Sequence, residues 1–173
     1  RELTDHALGL GHKRLAMIAG VTQGNDRARA RVYGVFDAMA AHGLDPASLA
    51  LVEAKYDVAE AAAALIALMQ RDPKPSIVLC GNDVLAAGAL KGARELGLDV
   101  PGALSITGFD DIELAHVVVP ELTTVHVPHA EMGRRAAAEL IGMIEDKRAG
   151  VSTELDAGIV MRASLAPPPD QQS

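Results

Sequence analysis

The feature that most constrains this chain is the regular alternation of short aliphatic runs with segments of helical periodicity. The aliphatic runs occupy residues 14–20, 49–53, 76–80 and 104–108, and the segments between them repeat apolar residues every three or four positions. Runs of this length are typical of buried strands, whereas the longer segments are typical of helices with one apolar face. Strands that alternate with helices predict an α/β fold in three layers, with helices covering both faces of a parallel sheet.

The ends of the helices and the rest of the chain are also indicated by sequence signals. Gly43 and Gly97 follow the first and third helical segments, and Asp72-Pro73 follows the second, as expected where helices end. One more helix is predicted over residues 3–10, before the first strand. After Pro120 the pattern predicts a strand at 122–127, a helix from Pro128 to Lys147, a last strand at 153–161 and a disordered tail from Ala166.

Charge and composition exclude several classes of function. The net charge of −7 argues against direct binding to nucleic acid, because that affinity rests on clustered lysine and arginine. The single cysteine, Cys80, lies in an apolar run and favours a reducing, cytoplasmic location. No apolar run approaches membrane-spanning length, so no membrane association is expected. Because the sequence begins with Arg1 rather than methionine, we expect a fragment.

Polar residues follow the ends of the predicted strands. Ligands of open parallel sheets bind outside the carboxyl ends of the strands, so these side chains are expected to face one crevice. The candidates at this edge are Arg29, Arg31, Tyr56, Asn82 and Asp110. Carboxylates accept hydrogen bonds from hydroxyls, guanidinium groups donate in a fork, and an aromatic ring covers an apolar sugar face. The set is therefore suited to a polyhydroxylated small molecule.

Each of these candidates also has a purely structural interpretation. Asn82 or Asp83 is equally suited to cap the helix that begins there, and Asp110 or Asp111 to cap a short helix; one residue can serve both purposes. Arg29 and Arg31 are equally compatible with a solvated helix face, and Tyr56 with a core or rim position. The sequence leaves these alternatives open.

The chain lacks the residue constellations of common enzymes and metal sites. Asp110 and Asp111 are adjacent, so on extended backbone they point to opposite faces and would not share one proton. His126 and His129 have no third ligand nearby that would complete a metal site. Neither a phosphate-binding loop nor a nucleophile elbow occurs. We therefore expect no catalytic residue, no metal and no cofactor.

Five ordered stretches carry a resemblance to a known family. They are LGHKRLAMIAG at residues 10–20, CGNDVLA at 80–86, Val100-Pro101, SITGFDD at 105–111 and PELTTV at 120–125. In this order and at these intervals they resemble the LacI/GalR, or lactose-repressor-like, transcription regulators. Each stretch alone is weak evidence for this family, but the ordered set covers nearly the whole chain and is highly specific for it.

The resemblance implies an architecture. Such regulators carry a helix-turn-helix, a hinge helix and a two-lobed, periplasmic-binding-protein-like core that closes on a small effector, often a sugar. By this likeness residues 1–122 form the C-terminal lobe, 123–150 a crossover strand and helix, 151–165 a returning strand and 166–173 the tail. The crossover helix would pack on a first lobe that is missing here. We therefore expect exposure of its apolar residues Met132, Ala136, Leu140 and Ile144.

The resemblance also implies roles for particular residues. Arg31 matches the arginine that holds effector hydroxyls, Asn82 the site amide, Asp110 the site carboxylate and Tyr56 the aromatic that packs on the ligand. Arg29, Val127 and His129 are expected at the rim. Val127 stands where the family often has a glutamine, and Val35 where an aromatic is common, so the effector cannot be carried over.

The predicted function is effector sensing in a bacterial transcription regulator, such as a repressor. DNA would be bound only through a helix-turn-helix that this chain lacks. A homodimer is expected, formed by the helices that follow Asp57 and Asp83 and by residues 115–119. The alternative is a periplasmic sugar-binding protein of a transporter, which shares the two-lobed architecture. An enzyme acting on sugars is the least favoured class.

Overall fold

The computed structural model describes residues 1–145 and 147–169, and its centre is a parallel sheet of four strands. The strands are β1 (Leu15–Gly20), β2 (Ala50–Ala54), β3 (Ile77–Cys80) and β4 (Ser105–Thr107), in the spatial order β2-β1-β3-β4. The helices are α1 (Glu2–Gly9), α2 (Asp26–Ala41), α3 (Val58–Leu68), α4 (Asp83–Glu95) and the short α5 (Leu114–Val117), and a 3₁₀ turn spans Pro46–Ser48. The predicted α/β fold is confirmed. The strand order reverses between β1 and β3, which is where such sheets open a crevice.

Both faces of the sheet are buried, which makes the fold three-layered as predicted. In β1, Ala16 and Ile18 pack in the cluster that contains α3 and α4, whereas Leu15, Met17 and Ala19 pack in the cluster that contains α1 and α2. This alternation follows from the two-residue period of a strand. Every residue of β1 is buried, which explains why its sequence is apolar throughout.

The end of the chain adds a small antiparallel ribbon at the β4 edge. Strand β5 (Thr124–His126) pairs with β6 (Gly158–Val160), and backbone bonds from Gly108 N to Thr123 O (2.9 Å) and from Asp110 N to Val125 O (3.0 Å) join the ribbon to the end of β4. The last strand is shorter than the predicted 153–161, because its partner β5 has only three residues with which to pair. That prediction was wrong in extent, though not in position.

The polypeptide is fixed beyond the point where a disordered tail was predicted to begin. The Ala166 carbonyl accepts hydrogen bonds from His12 Nε2 (2.9 Å) and Ser105 Oγ (3.1 Å), and Pro168 is buried. Ala166–Pro168 therefore belongs to the folded part, contrary to the prediction, because these bonds tie the chain to α1 and β4. Residues 170–173, the remainder of the predicted tail, lie outside the described residues.

The buried His12 is expected to make the stability of the fold depend on pH. Its Nε2 donates to a carbonyl, so its Nδ1 is the acceptor that faces Ser76 Oγ at 2.8 Å, and the ring is neutral. Burial lowers the pKa of His12, although the bond to Ala166 partly opposes this. Above about pH 6.5 the ring is neutral in both states, whereas below it the unfolded chain takes up the proton first. We expect the free energy of unfolding to fall as the pH drops below about 6.5, measured by urea denaturation between pH 5 and 8.

The control is His12→Gln, which cannot titrate. The variant should be less stable at neutral pH and should lose the part of the pH dependence that His12 causes. An identical decline of stability in both proteins would contradict this interpretation.

The crossover helix α6 (His129–Glu145) has an exposed apolar side. None of its described residues is buried, and Met132, Ala136, Leu140 and Ile144 are all exposed, Ile144 by 69%. The predicted exposure of this helix is confirmed. The segment after it contacts this helix through an ion pair between Glu139 and Arg148 and through Val151 N, which donates to Glu139 Oε1 at 2.7 Å. No helix among the described residues is long and apolar enough to cross a bilayer.

Candidate functional site

A cleft of about 240 Å³ opens at the carboxyl ends of β3 and β4. Its walls come from the start of α1, from α2, from the strand ends and from the final ribbon. The lining is Arg1–Thr4, Met17, Arg31, Val35, Leu79–Gly81, Thr107–Phe109, Val125, Ala157 and Ile159. Most of these side chains are apolar, so polar recognition depends on a few groups.

Arg31 and Asp110 form the polar centre beside this cleft. Arg31 lies on the second turn of α2, whose first turn is capped by Asn25 Oδ1 accepting from Ala28 N. Arg31 Nη2 lies 3.4 Å from Asp110 Oδ1, and its guanidinium stacks 4.2 Å from the centroid of the Phe109 ring. Both charged side chains are about one-fifth exposed (23% and 22%), so they are accessible to a small molecule yet partly shielded from water.

His129 is the third group at this centre. It is the first residue of α6, and its Nε2 lies 3.9 Å from Asp110 Oδ1. Burial raises the pKa of Asp110, while Arg31 and His129 pull it down and only partly offset the burial. A carboxylate in this state lacks a full shell of hydrogen-bond donors. It can gain donors from the hydroxyl or amine groups of a ligand.

Asn82 has the capping role that the sequence left open. Its Oδ1 accepts from Leu85 N at 2.9 Å and so caps α4. Its amide NH₂ stays available as a donor to a ligand. Asn82 adjoins Gly81, which lines the cleft, so the double role considered from the sequence remains a prediction.

Tyr56 and Arg29 contact partners other than the Arg31–Asp110 pair, whereas Val127 adjoins Asp110 through its backbone N, which donates to Asp110 O at 3.4 Å. Tyr56 covers Gly20, where any Cβ would overlap its ring, and its hydroxyl accepts from Asn25 Nδ2 at 3.2 Å. Arg29 is exposed and pairs with Asp26 one turn earlier on the same helix. Val127 lines a different groove, between α6 and residues 151–157. Of the seven residues predicted for the site, the described structure brings the side chains of Arg31, Asp110 and His129 together and places the backbone of Val127 beside Asp110.

Asp111 faces a separate set of partners. Its Oδ1 accepts from Arg162 Nη2 at 2.6 Å, and its Oδ2 lies 3.0 Å from His126 Nδ1. The adjacent carboxylates thus point to different groups, although both residues have positive φ rather than the extended backbone on which that prediction rested. Arg162 was missed from the sequence, because nothing local indicates that an arginine after the last strand returns to the β4 loop.

Asp83 is a second residue whose full structural role was not predicted from the sequence. It is fully buried and accepts from Thr124 Oγ1 at 2.6 Å and from Ile112 N at 2.9 Å. Burial raises the pKa of Asp83, against the lowering effect of these hydrogen bonds. The side chain therefore ties α4 to β5 and to the loop that carries Asp110. Its position after Asn82 indicated only a helix cap.

The chemistry of the site is that of binding. Among residues 1–145 and 147–169, no three histidine, cysteine or acidic side chains converge to hold a metal ion. The groups present are a forked donor, a partly desolvated carboxylate, an imidazole and an apolar wall. Groups of this kind can recognise a small polar molecule, and they lie at the edge where parallel α/β sheets bind ligands.

Comparison with known proteins places this chain in a family. The sequence matches the profile of the periplasmic binding protein-like domain over residues 4–165, and the chain belongs to that family. It is 33% identical to the HTH-type transcriptional repressor PurR of Proteus mirabilis over 160 residues, which is 92% of this chain and 47% of the repressor. The chain thus spans about half the length of this relative.

Solved structures agree with the sequence comparison. A sugar-binding LacI-family regulator from Escherichia coli, complexed with phosphate, shares 29% identity and a TM-score of 0.86, over 96% of this chain and 60% of that one. A LacI-family regulator from Enterococcus faecium with bound ribose shares 26% identity and a TM-score of 0.89, over 96% of this chain and 61% of that one. The chain is therefore a periplasmic binding protein-like domain of the type found in LacI-family regulators, which confirms the resemblance.

Proposed function

We propose that this chain is the effector-sensing lobe of a bacterial transcription regulator and that its effector is a sugar or a related small polar molecule. The observation that carries the proposal is the Arg31–Asp110 pair, stacked on Phe109 at the carboxyl edge of the sheet. This is the position at which parallel sheets of this kind bind ligands. The relatives above are transcription regulators, which favours regulation over the alternative of a periplasmic sugar-binding protein for a transporter.

The chemistry of the centre supports a polyhydroxylated ligand. Arg31 presents donors in a plane, Asp110 presents acceptors, and both can act on one set of neighbouring hydroxyls. The apolar wall of Val35, Val125 and Ile159 would cover the carbon face of a sugar ring. A relative with bound ribose makes this class of ligand a reasonable first choice.

In this proposal the effector acts by shifting a balance of conformations. A ligand that binds one arrangement of the lobes more tightly than another changes the population that can bind DNA. DNA contact would be made by a helix-turn-helix outside these residues, since the net charge of −7 opposes phosphate binding by this chain. The site would bind its ligand without consuming it, in the cytoplasm. Incubation with the effector should leave the effector chemically unchanged.

We also propose that the regulator works as a homodimer. Exposed apolar side chains at Val117 and Val119 lie beside the groove formed by Leu90, Leu98 and Pro120, in the region predicted for the dimer contact. Burial of such side chains between two copies would be favourable. Analytical ultracentrifugation of wild type and Val119→Asp tests this contact. If the contact forms the dimer, the variant should associate more weakly than wild type.

The exposed face of α6 is proposed to pack on another lobe of a longer polypeptide. If so, its apolar residues contribute little to the stability of this lobe. We expect the double variant Leu140→Glu, Ile144→Glu to keep its free energy of unfolding within about 0.5 kcal/mol of wild type, because both side chains are exposed. Leu65→Ala, at a fully buried position, should cost about 2–5 kcal/mol in the same urea titration. A loss of similar size in both variants would contradict the proposal.

A thermal-shift screen tests the proposed function. The panel contains pentoses, hexoses, nucleosides and free nucleobases, and the 173-residue chain is compared with Arg31→Ala. We expect one class of compound to raise the melting temperature of wild type, because a ligand bound only to the folded state stabilises it by mass action. The shift should disappear in Arg31→Ala and persist in Arg134→Ala, an exposed arginine on α6. An equal shift in all three proteins would contradict the assignment.

A further inference from the structure

The loop that carries Asp110 has an unusual backbone. Asp110 and Asp111 have φ values of 105° and 55°, in the left-handed region that side chains other than glycine seldom occupy. Such conformations are unfavourable and persist only when their surroundings hold them. Neighbouring groups must therefore hold these two residues in place.

The residues on either side of Asp111 are held by the backbone and by Asp83. Asp110 N donates to Val125 O at 3.0 Å, which aligns the loop with β5. Ile112 N donates to the buried Asp83 Oδ2 at 2.9 Å. Neither bond involves Asp111, which lies between them.

Arg162 supplies the contact at Asp111. Its side chain is only 9% exposed, and the guanidinium donates from Nη2 to Asp111 Oδ1 (2.6 Å) and from Nη1 to Leu122 O (2.8 Å). Its own backbone N donates to Thr123 Oγ1 at 2.9 Å, so Arg162 is itself anchored beside β5. The fork therefore connects the segment after β6 to the left-handed turn.

The remaining charged groups around Asp111 complete the network. His126 Nδ1 lies 3.0 Å from Asp111 Oδ2, His116 Nε2 lies 3.9 Å from Asp111 Oδ1, and Glu121 Oε2 lies 4.0 Å from Arg162 Nε. Burial raises the pKa of Asp111, but the hydrogen bonds from Arg162 and His126 outweigh it and the pKa is lowered. Asp111 is therefore an anion with both oxygens engaged.

We propose that Arg162 is a positioning residue for the effector site: by holding Asp111, it fixes the left-handed turn that directs the Asp110 carboxylate toward Arg31 and His129. The significance of this role rests on the proposed function, since Asp110 is the acceptor of the proposed site. Arg162 does not line the described cleft and acts only through the loop. The segment that carries it, residues 157–162, also supplies Ala157 and Ile159 to the cleft wall.

The test follows the carboxyl carbon of Asp110 by NMR during a pH titration of the 173-residue chain, without any ligand. In Arg162→Met the turn should relax and Asp110 should move toward water. The pKa of Asp110, which burial raises in wild type, should then fall toward its ordinary value of about 3.9. The Arg31 Nε–H signal should shift as well, because its partner has moved. Arg134→Met, which removes an exposed ion pair on α6, should leave both signals unchanged.

An Asp110 titration in folded Arg162→Met that matches wild type would overturn the proposal. Should Arg162→Met fail to fold, Arg162→Lys provides the decision, since lysine keeps the charge but lacks the planar fork that joins Asp111 to Leu122 O. The Asp110 titration should change in the same direction, and a wild-type titration in this variant also overturns the proposal. Because no effector is used, a failure of the effector screen and a failure of this test are separate results.

Discussion

Replacement of Asp83 by alanine is expected to lower the free energy of unfolding by about 3 kcal/mol. The side chain is fully buried and accepts hydrogen bonds from Thr124 Oγ1 and Ile112 N. Its removal leaves the buried Thr124 hydroxyl and the partly buried Ile112 N without this acceptor, and an unsatisfied buried donor costs about 1–3 kcal/mol. The loss should appear as a lower midpoint in urea denaturation at pH 7.

Asp83→Asn is the matched control. Asparagine has the same shape and keeps one oxygen acceptor, and it avoids the cost of burying a charge that is evident from the raised pKa of Asp83. We expect a smaller loss than with alanine, about 1 kcal/mol, because only one of the two hydrogen bonds is lost. Equal stability of wild type and Asp83→Ala would show that Asp83 does not hold the β4 loop.

Substitution of Arg31 or Asp110 by alanine should weaken binding of the effector about 10- to 100-fold. A hydrogen bond to a charged group contributes about 1.5–3 kcal/mol, and each 1.4 kcal/mol is a factor of ten in affinity. Each variant also leaves the remaining partner of the 3.4 Å pair uncompensated within the site. Isothermal titration calorimetry with the compound identified by the screen measures the effect.

Arg29→Ala is the matched control for this pair of variants. Arg29 lies on the same helix, carries the same group and is exposed, but it is paired with Asp26 away from the cleft. We expect wild-type affinity within a factor of about two, as is usual for exposed positions. If Arg29→Ala weakened binding as much as Arg31→Ala, the ligand would lie outside the described cleft.

Much of the fold follows from local patterns in the sequence. The four aliphatic runs became β1 to β4, and Gly43 and Gly97 follow α2 and α4 with φ values of 73° and 66°. These signals are local, because periodicity and glycine conformation depend on a few neighbouring residues. The exposed α6 was also predictable, but only from the family resemblance. Its amphipathic pattern alone would have predicted a buried face.

The site was less predictable because its contacts are long-range. Strand ends correctly indicated the edge of the sheet, and Arg31 and Asp110 meet there although 79 residues separate them. The rule that ligands bind at the carboxyl ends of parallel strands did not indicate that Tyr56 packs on Gly20. It also did not indicate that Arg29 pairs within its own helix. Arg162 and Phe109 gave no local signal, since their roles depend on how the returning segment and the β4 loop pack in three dimensions.

The central claim is that the effector binds at the carboxyl edge of the sheet, between Arg31 and Asp110. The most direct measurement is a ¹H–¹⁵N chemical-shift map of the chain during titration with the compound found by the screen. The claim predicts the largest changes at Arg31, Gly81, Phe109 and Asp110, which lie at or beside the cleft. Changes confined to the groove between α6 and residues 151–157, with none at Arg31 or Asp110, would contradict it.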